Sequence, residues 1–223
     1  MWSECVGGTA CAAAGVLAYG VRGRTARLFG PSVWRGDAGR RSIALTFDDG
    51  PSESTPELLE LLARHGVRAT FFECGRHVRR LPQVARAVAG AGHELGNHSD
   101  THRAFYFLPA REIHAELARA QEAIGEAAGV KPVLFRAPFG TRWFGLRAAQ
   151  RSLGLLGVMW TAIGRDWKLP AARVAGRLAR AASNGAIFCL HDGRGLTPAP
   201  DIRATLEAVR RLIPVLQDQG YQF

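Results

Sequence analysis

From Ile43 to the end of the chain, short apolar runs alternate with stretches whose apolar residues recur at helical spacing. This alternation constrains the fold most strongly, because strands separated by helices form parallel sheets built from βα units. We predict seven strands, at 43–47, 69–73, 93–97, 133–136, 155–160, 186–190 and 221–223. The pattern alone fits either an open doubly wound sheet or an incompletely closed barrel.

The helix after the first strand carries the clearest boundary signals. Ser54 and Glu57 have the spacing of a capping box, and Pro56 suits a first helical turn. An apolar stripe follows, formed by Leu58, Leu61 and Leu62. The same periodicity predicts helices at 82–91, 110–128, 144–153, 170–183 and 201–219.

Length and charge limit the classes of protein that this chain can belong to. The chain has 223 residues, 47% of them hydrophobic, which suffices for one sizeable core and leaves little room for a second. We therefore predict one domain over residues 37–223. The net charge is +10, but the arginines are scattered and no nucleic-acid motif accompanies them. We predict no nucleic-acid partner; an anionic phospholipid or wall polymer also matches this charge.

Residues 1–36 differ in kind from the rest. The segment from Cys5 to Val21 carries no charge, and Arg22, Arg24 and Arg27 follow it. Its 17 residues are few for crossing a bilayer, and a cleaved signal peptide is disfavoured because Glu4 stands where a basic region normally lies. We predict an apolar, membrane-associated segment and a basic linker, which indicates a membrane or cell-envelope location. Whether the segment spans the membrane or lies on it is left open.

Two adjacent carboxylates, Asp48 and Asp49, leave the first predicted strand and enter a Gly-Pro turn. If one carboxylate binds a metal, the other is free to act as a general base on water. In isolation the hexapeptide TFDDGP fits an Asx turn equally well. Its interpretation therefore depends on partners elsewhere in the chain.

The partners are two histidines four residues apart, His98 and His102. On a helical turn this spacing places both imidazoles on one face, where they converge on a single ion. Two histidines and one carboxylate are a common catalytic zinc set that leaves a coordination position open. A pair of surface histidines is the alternative, but the carboxylate pair strengthens the metal interpretation.

Two more polar groups lie at the C-terminal ends of predicted strands. Arg136 stands before a Pro-containing turn, where it can orient a catalytic carboxylate and keep it ionised, although such an arginine is usually structural. His191 ends a buried strand, and Asp166 precedes it in the sequence. A carboxylate partner would favour the charged imidazole and suit a general acid; a buried core histidine is the alternative. Because parallel strands end at one mouth of a barrel, we expect these groups to gather there.

Five motifs, in this order, resemble the polysaccharide deacetylase family, also known as the NodB-homology domain or carbohydrate esterase family 4. They span about 41–223 and are TFDDGP at 46–51, HSDTH at 98–102, RAPFG at 136–140, DW at 166–167 and LHDG at 190–193. The resemblance implies a distorted (β/α) barrel, here of the (β/α)7 type with parallel strands. It also implies a divalent metal, Zn²⁺ first and Co²⁺ or Ni²⁺ as alternatives.

The resemblance assigns a role to nine residues. The implied metal ligands are Asp49, His98 and His102, the implied base is Asp48 and the implied acid is His191. Arg136 would hold Asp48, Asp166 would tune His191, the Phe139 backbone N–H would assist at the oxyanion, and Trp167 would wall the acetyl pocket.

The implied activity is metal-dependent hydrolysis of N-acetyl groups from N-acetylglucosamine polysaccharide, peptidoglycan or chitin-like, with release of acetate. A deformylase or amidase acting on a lipid-linked amino sugar or a small amide is the alternative. A binding module without catalysis is disfavoured, because the whole residue set is present. The chain departs from the family pattern at Ile163, where members often have aspartate, and at Cys189, where many have an aliphatic residue. No oligomeric state is predicted.

Overall fold

The computed structural model describes residues 2–223, with side chains from residue 12 onward. The described residues form eight strands: β1 Ser32–Val33, β2 Ile43–Gly50, β3 Thr70–Glu73, β4 Glu94–Asn97, β5 Leu134–Phe135, β6 Leu156–Val158, β7 Ala162–Ile163 and β8 Ala186–His191. The helices are α1 Trp2–Arg22, α2 Thr55–Arg64, α3 Gly75–Arg80, α4 Pro82–Gly90, α5 Ala110–Ala128, α6 Leu146–Leu153, α7 Ala171–Arg180 and α8 Arg203–Asp218. A 3-10 helix lies at Pro138–Gly140.

The strands form one curled, parallel sheet in the order β1-β6-β5-β4-β3-β2-β8-β7. No pairing among residues 2–223 joins the edge strands β1 and β7, so the barrel is incompletely closed. The predicted α/β fold, a distorted barrel of parallel strands, is confirmed. Of the two architectures that the sequence pattern left open, the chain adopts the barrel.

The number and ends of the strands differ from the prediction. Residues 221–223 do not form a strand, since a single bridge between Ser42 and Gln222 is the sheet contact made there. The short edge strands β1 and β7 were not predicted, because two residues carry too little periodicity to stand out from a loop. Helix α3, with six residues, was missed for the same reason.

The predicted boundary signals of α2 are only partly correct. Ser54 is the N-cap residue, but its side chain makes no capping hydrogen bond, so the capping box is not formed. Pro56 does lie in the first turn, where its missing N–H costs no helical hydrogen bond. The stripe of Leu58, Leu61 and Leu62 is buried as predicted.

The main core lies between the central strands and the outer helices. Strands β2 and β8 are buried on both faces along almost their whole length, as expected for inner strands of a parallel sheet. The rings of Phe47 and Phe71 stack with centroids 5.2 Å apart. Helix α8 covers this region with a buried apolar side formed by Leu206, Val209, Ile213 and Leu216.

The N-terminal segment reaches the domain through its C-terminal end. The backbone N–H of Arg142 donates to the carbonyl of Val21 over 3.0 Å, and the Arg142 guanidinium donates to the carbonyl of Ala26 over 2.6 Å. Strand β1 then pairs with β6. Among the described residues, no helix, α1 included, is both long enough and apolar enough to cross a membrane.

Candidate active site

Strand ends bring the polar motifs to one mouth of the sheet. Asp48 of β2 and His191 of β8 are register partners in neighbouring strands. His98 and Arg136 directly follow Asn97 and Phe135, which pair at the ends of β4 and β5. Because all these strands are parallel, their C-terminal ends meet, as in other barrels of this type.

A metal-ligand geometry is present at Asp49, His98 and His102. The Oδ1 atom of Asp49 lies 3.2 Å from Nε2 of His98 and 2.9 Å from Nε2 of His102, and one ligand atom from each residue lies within 4.8 Å of the others. This Oδ1 is buried and accepts no well-aligned hydrogen bond from the described residues. The three donors therefore suit a divalent cation placed between them.

The tautomer of His98 supports the same conclusion. Its Nδ1 lies 2.8 Å from the carbonyl oxygen of Arg136. A carbonyl only accepts, so Nδ1 carries the proton and Nε2 presents a lone pair to the cluster. The other Asp49 oxygen, Oδ2, accepts a 2.8 Å hydrogen bond from the backbone N–H of Gly195. Burial raises the pKa of Asp49, but contacts with His102 and His98 outweigh it, and this pKa lies well below its ordinary value.

The backbone adopts left-handed conformations at three of the predicted site residues. Asp49 has φ 73°, His102 has φ 53° and Phe139 has φ 56°. Such angles are unfavourable for residues other than glycine and cluster at functional sites, where the surrounding structure holds them. These turns aim the Asp49 carboxylate and the His102 ring at a common point.

Arg136 holds Asp48 from inside the protein. Its Nη1 donates to Oδ1 of Asp48 over 2.6 Å and to Oγ1 of Thr46 over 2.7 Å. The guanidinium also donates to two backbone carbonyls and lies over the Phe72 ring, 4.3 Å from its centroid. The Arg136 side chain is fully buried, so its charge is paired and hydrogen-bonded as a buried charge must be.

His191 and Asp166 form a second charged pair. Nδ1 of His191 lies 2.9 Å from Oδ1 of Asp166, whose Oδ2 accepts hydrogen bonds from the His191 N–H and the Thr205 hydroxyl. Burial lowers the pKa of His191, but the charge of Asp166 and its hydrogen bond prevail and raise that pKa to about 9. For Asp166, burial raises the pKa, yet His191 holds it below its ordinary value.

His191 lines one side of a cavity of about 470 Å³ that also contains the metal-ligand cluster. Phe139 and Trp167 lie at its rim, 60% and 49% exposed, where a substrate can reach them. The Trp167 ring packs edge-on against His191, with centroids 4.9 Å apart. Of the nine residues singled out from the sequence, seven line the cavity, and Arg136 and Asp166 support them from behind.

The sequence analysis missed several residues of this cavity. Trp160, Arg194, Gly195 and Arg22 also line it, and Arg22 arrives from the end of α1. Trp160 follows β6, so the rule that chemistry sits at strand ends pointed to it. Nothing in the sequence pattern singled out Gly195, whose contribution is a backbone N–H.

Together the curled parallel barrel, the paired carboxylates and the imidazole cluster define the class of metallohydrolases. Residues 35–158, more than half of the chain, match the family model described as polysaccharide deacetylase. The chain belongs to the polysaccharide deacetylase family and is a hydrolase of N-acetyl amide bonds. The family resemblance drawn from the five motifs is confirmed.

Relatives and solved structures agree with this assignment. A chitooligosaccharide deacetylase of Bradyrhizobium sp. (strain ANU 289) is 37% identical over 83% of this chain and 89% of its own length. A peptidoglycan-N-acetylglucosamine deacetylase of Listeria monocytogenes is 32% identical over 86% of this chain, which spans 39% of that protein. One similar crystal structure is of a mutant, with restored enzymatic activity, of a carbohydrate esterase family 4 pseudoenzyme from Bacillus anthracis. It has a TM-score of 0.78 at 32% identity and covers 86% of this chain and 68% of that one.

Proposed function

We propose that this enzyme removes N-acetyl groups from an N-acetylglucosamine glycan, chitin-like or peptidoglycan, with a divalent cation at Asp49, His98 and His102. The observation that carries the proposal is the convergence of these three ligands beside a second, arginine-held carboxylate, Asp48. The glycan class is supported by the names of the relatives, which are chitooligosaccharide and peptidoglycan deacetylases.

The residues of the site divide the reaction between them. When bound, the cation supplies Lewis-acid charge for the acetamide carbonyl. Asp48 takes a proton from the attacking water, and Arg136 keeps its carboxylate oriented and ionised. The Phe139 N–H donates to the developing oxyanion, and Trp167 forms an apolar wall for the acetyl methyl.

His191 completes the reaction as the acid. An amine is a poor leaving group unless it is protonated. His191 lines the cavity, and its hydrogen bond to Asp166 keeps the imidazole protonated, so that it can supply this proton. Acetate and a free amino sugar result.

A comparison of substrates tests the proposal. We expect acetate release from chitin oligomers or peptidoglycan, its loss on treatment with a chelator, and its return with Zn²⁺. Formate or ammonia release from a formamido sugar or small amide, without acetate release from either glycan, would instead support the amidase alternative. An enzyme inactive on all of them after metal loading would contradict hydrolysis and favour a binding module.

The pairing of His191 with Asp166 predicts a specific pH dependence. A general acid works in its protonated form, so activity falls as the pH rises through the His191 pKa of about 9. In Asp166→Asn the opposite charge is lost, and we expect the alkaline limb of the pH-rate profile to move down by roughly 1–3 units. Thr205→Val, which removes one hydrogen bond to Asp166 and keeps both charges, is the matched control. An unmoved alkaline limb in Asp166→Asn excludes His191 as the acid.

Zinc as the native metal, membrane association and the domain boundary at residue 37 stay predictions. Val16, Tyr19 and Leu28 are exposed near the arginines at 22, 24 and 27, an arrangement that suits contact with an anionic lipid surface. Cosedimentation with vesicles of anionic phospholipid, compared with neutral vesicles, tests this association, and equal recovery with both excludes an electrostatic contribution. The relatives that act on peptidoglycan support a role at the cell envelope.

A further inference from the structure

A cysteine reaches into the catalytic cavity beside the proposed base and acid. The Sγ atom of Cys189 lies 3.5 Å from Oδ2 of Asp48, and Cys189 and His191 lie two residues apart in β8. One ligand atom each from Asp48, Cys189 and His191 lies within 4.8 Å of the others, and all three residues line the cavity. This cluster shares no residue with the Asp49, His98 and His102 cluster.

We propose that Asp48, Cys189 and His191 form a second metal site, which binds Zn²⁺ or another thiophilic divalent cation and inhibits the enzyme when the metal is in excess. The inhibition rests on the proposed function, because it works by occupying the base and the acid. The binding of the second cation does not rest on that function.

The donor atoms of Asp48, Cys189 and His191, and the distances between them, suit Zn²⁺. Thiolate, imidazole and carboxylate are the three donors that Zn²⁺ binds in proteins, in tetrahedral geometry. Bond lengths of about 2.3 Å to sulfur and 2.0 Å to oxygen place two tetrahedral ligands about 3.5 Å apart, which matches the separation of Sγ and Oδ2. Nδ1 of His191 is hydrogen-bonded to Asp166, so Nε2, once it has lost its proton, is the nitrogen that can act as a ligand. The open cavity leaves the fourth position to water.

The surrounding charges make this site weaker than the first. Burial raises the pKa of the Cys189 thiol well above its ordinary value, and the Asp48 charge adds to that effect. His191 also holds a proton, because its pKa is raised to about 9. Metal binding must therefore displace one proton from Sγ and one from Nε2 of His191, and both are released to solvent. The Arg136 guanidinium on Asp48 also repels a cation. The second site is accordingly expected to fill after the first, once metal exceeds one equivalent.

A titration of the metal-free protein with Cd²⁺ tests the binding. In the wild type we expect thiolate-to-cadmium charge-transfer absorption to grow as the second equivalent is added. In Cys189→Val that absorption is expected to be lost, while the first equivalent still binds. Cys74→Val is the matched control, because Cys74 is also a buried free thiol but does not line the cavity. Its titration should follow the wild type.

A second experiment measures the rate of acetate release as the Zn²⁺ concentration rises. The rate of each protein is expressed relative to its own rate at one equivalent of Zn²⁺. We expect excess Zn²⁺ to inhibit the wild type, and Cys189→Val to raise the half-inhibiting concentration by about tenfold or more, since even outer-sphere partners contribute that much to metal affinity. Cys189→Ser, which preserves size and polarity, serves if the valine variant does not fold.

The outcomes separate the two proposals. Equal cadmium absorption in wild type and both Cys189 variants overturns the second site. Equal half-inhibiting concentrations overturn its regulatory role. If no acetate is released at one equivalent, the proposed function fails, and the cadmium titration still decides whether the second site exists.

Discussion

Replacing Asp48 by Asn is expected to lower kcat/KM for acetate release by about 10²–10⁴-fold, the usual contribution of a general base. The amide has nearly the same shape, so the pocket is preserved, but it cannot accept the proton of the attacking water. Acetate release from a chitin oligomer, measured under kcat/KM conditions with one equivalent of metal, provides the value.

Metal binding separates this effect from a general loss of structure. Asp48 is not among the first cluster of ligands, so Asp48→Asn should retain the first metal equivalent in a calorimetric titration. Asp201→Asn is the control, because that carboxylate is exposed and pairs with Arg203 away from the cavity. Activity of Asp48→Asn within a few fold of the wild type would remove Asp48 as the base.

Replacing His102 by Ala is expected to abolish tight binding of the first metal equivalent. Two ligands remain, and the orphaned Asp49 oxygen loses its nearest imidazole, at 2.9 Å. Metal-ion stabilisation of a transition state is worth several kcal/mol, which corresponds to a fall in rate of about 10³-fold or more. Metal content after dialysis and acetate release are measured on the same preparation.

A matched histidine separates this result from a loss of charge or solubility. His114 is exposed on α5, so His114→Ala removes an imidazole that the cavity does not contain. That variant should retain its metal and its rate. If His102→Ala binds one equivalent as tightly as the wild type, the three-ligand site is wrong, whatever happens to the rate.

The sequence analysis was most successful where chemistry and periodicity coincide. Long apolar strands such as those containing Phe47 and Phe188 predict a parallel sheet, and a polar residue directly after such a strand must lie at its C-terminal mouth. For that reason Asp48, His98 and His191 were expected together, and the structure places them around one cavity. The edge strands β1 and β7 were missed because two residues carry no measurable period.

Local signals were less reliable than the pattern as a whole. Ser54 stands at the right position for a capping box, yet its side chain makes no capping bond. The terminal segment 221–223 has the composition of a strand but makes one bridge, through Gln222. Short-range propensity is a weak preference that tertiary packing overrides.

The amino-acid order by itself determined which residue types follow which strands, and hence the class of fold, the family and the set of chemically active side chains. Only the tertiary structure decided the contacts between distant segments: the Cys189 thiol against Asp48, the Gly195 N–H on Asp49 and Arg22 at the cavity. The reason is physical. Those distances depend on strand order, register and curl of the sheet, which join residues more than 140 positions apart and leave no periodic trace in the chain.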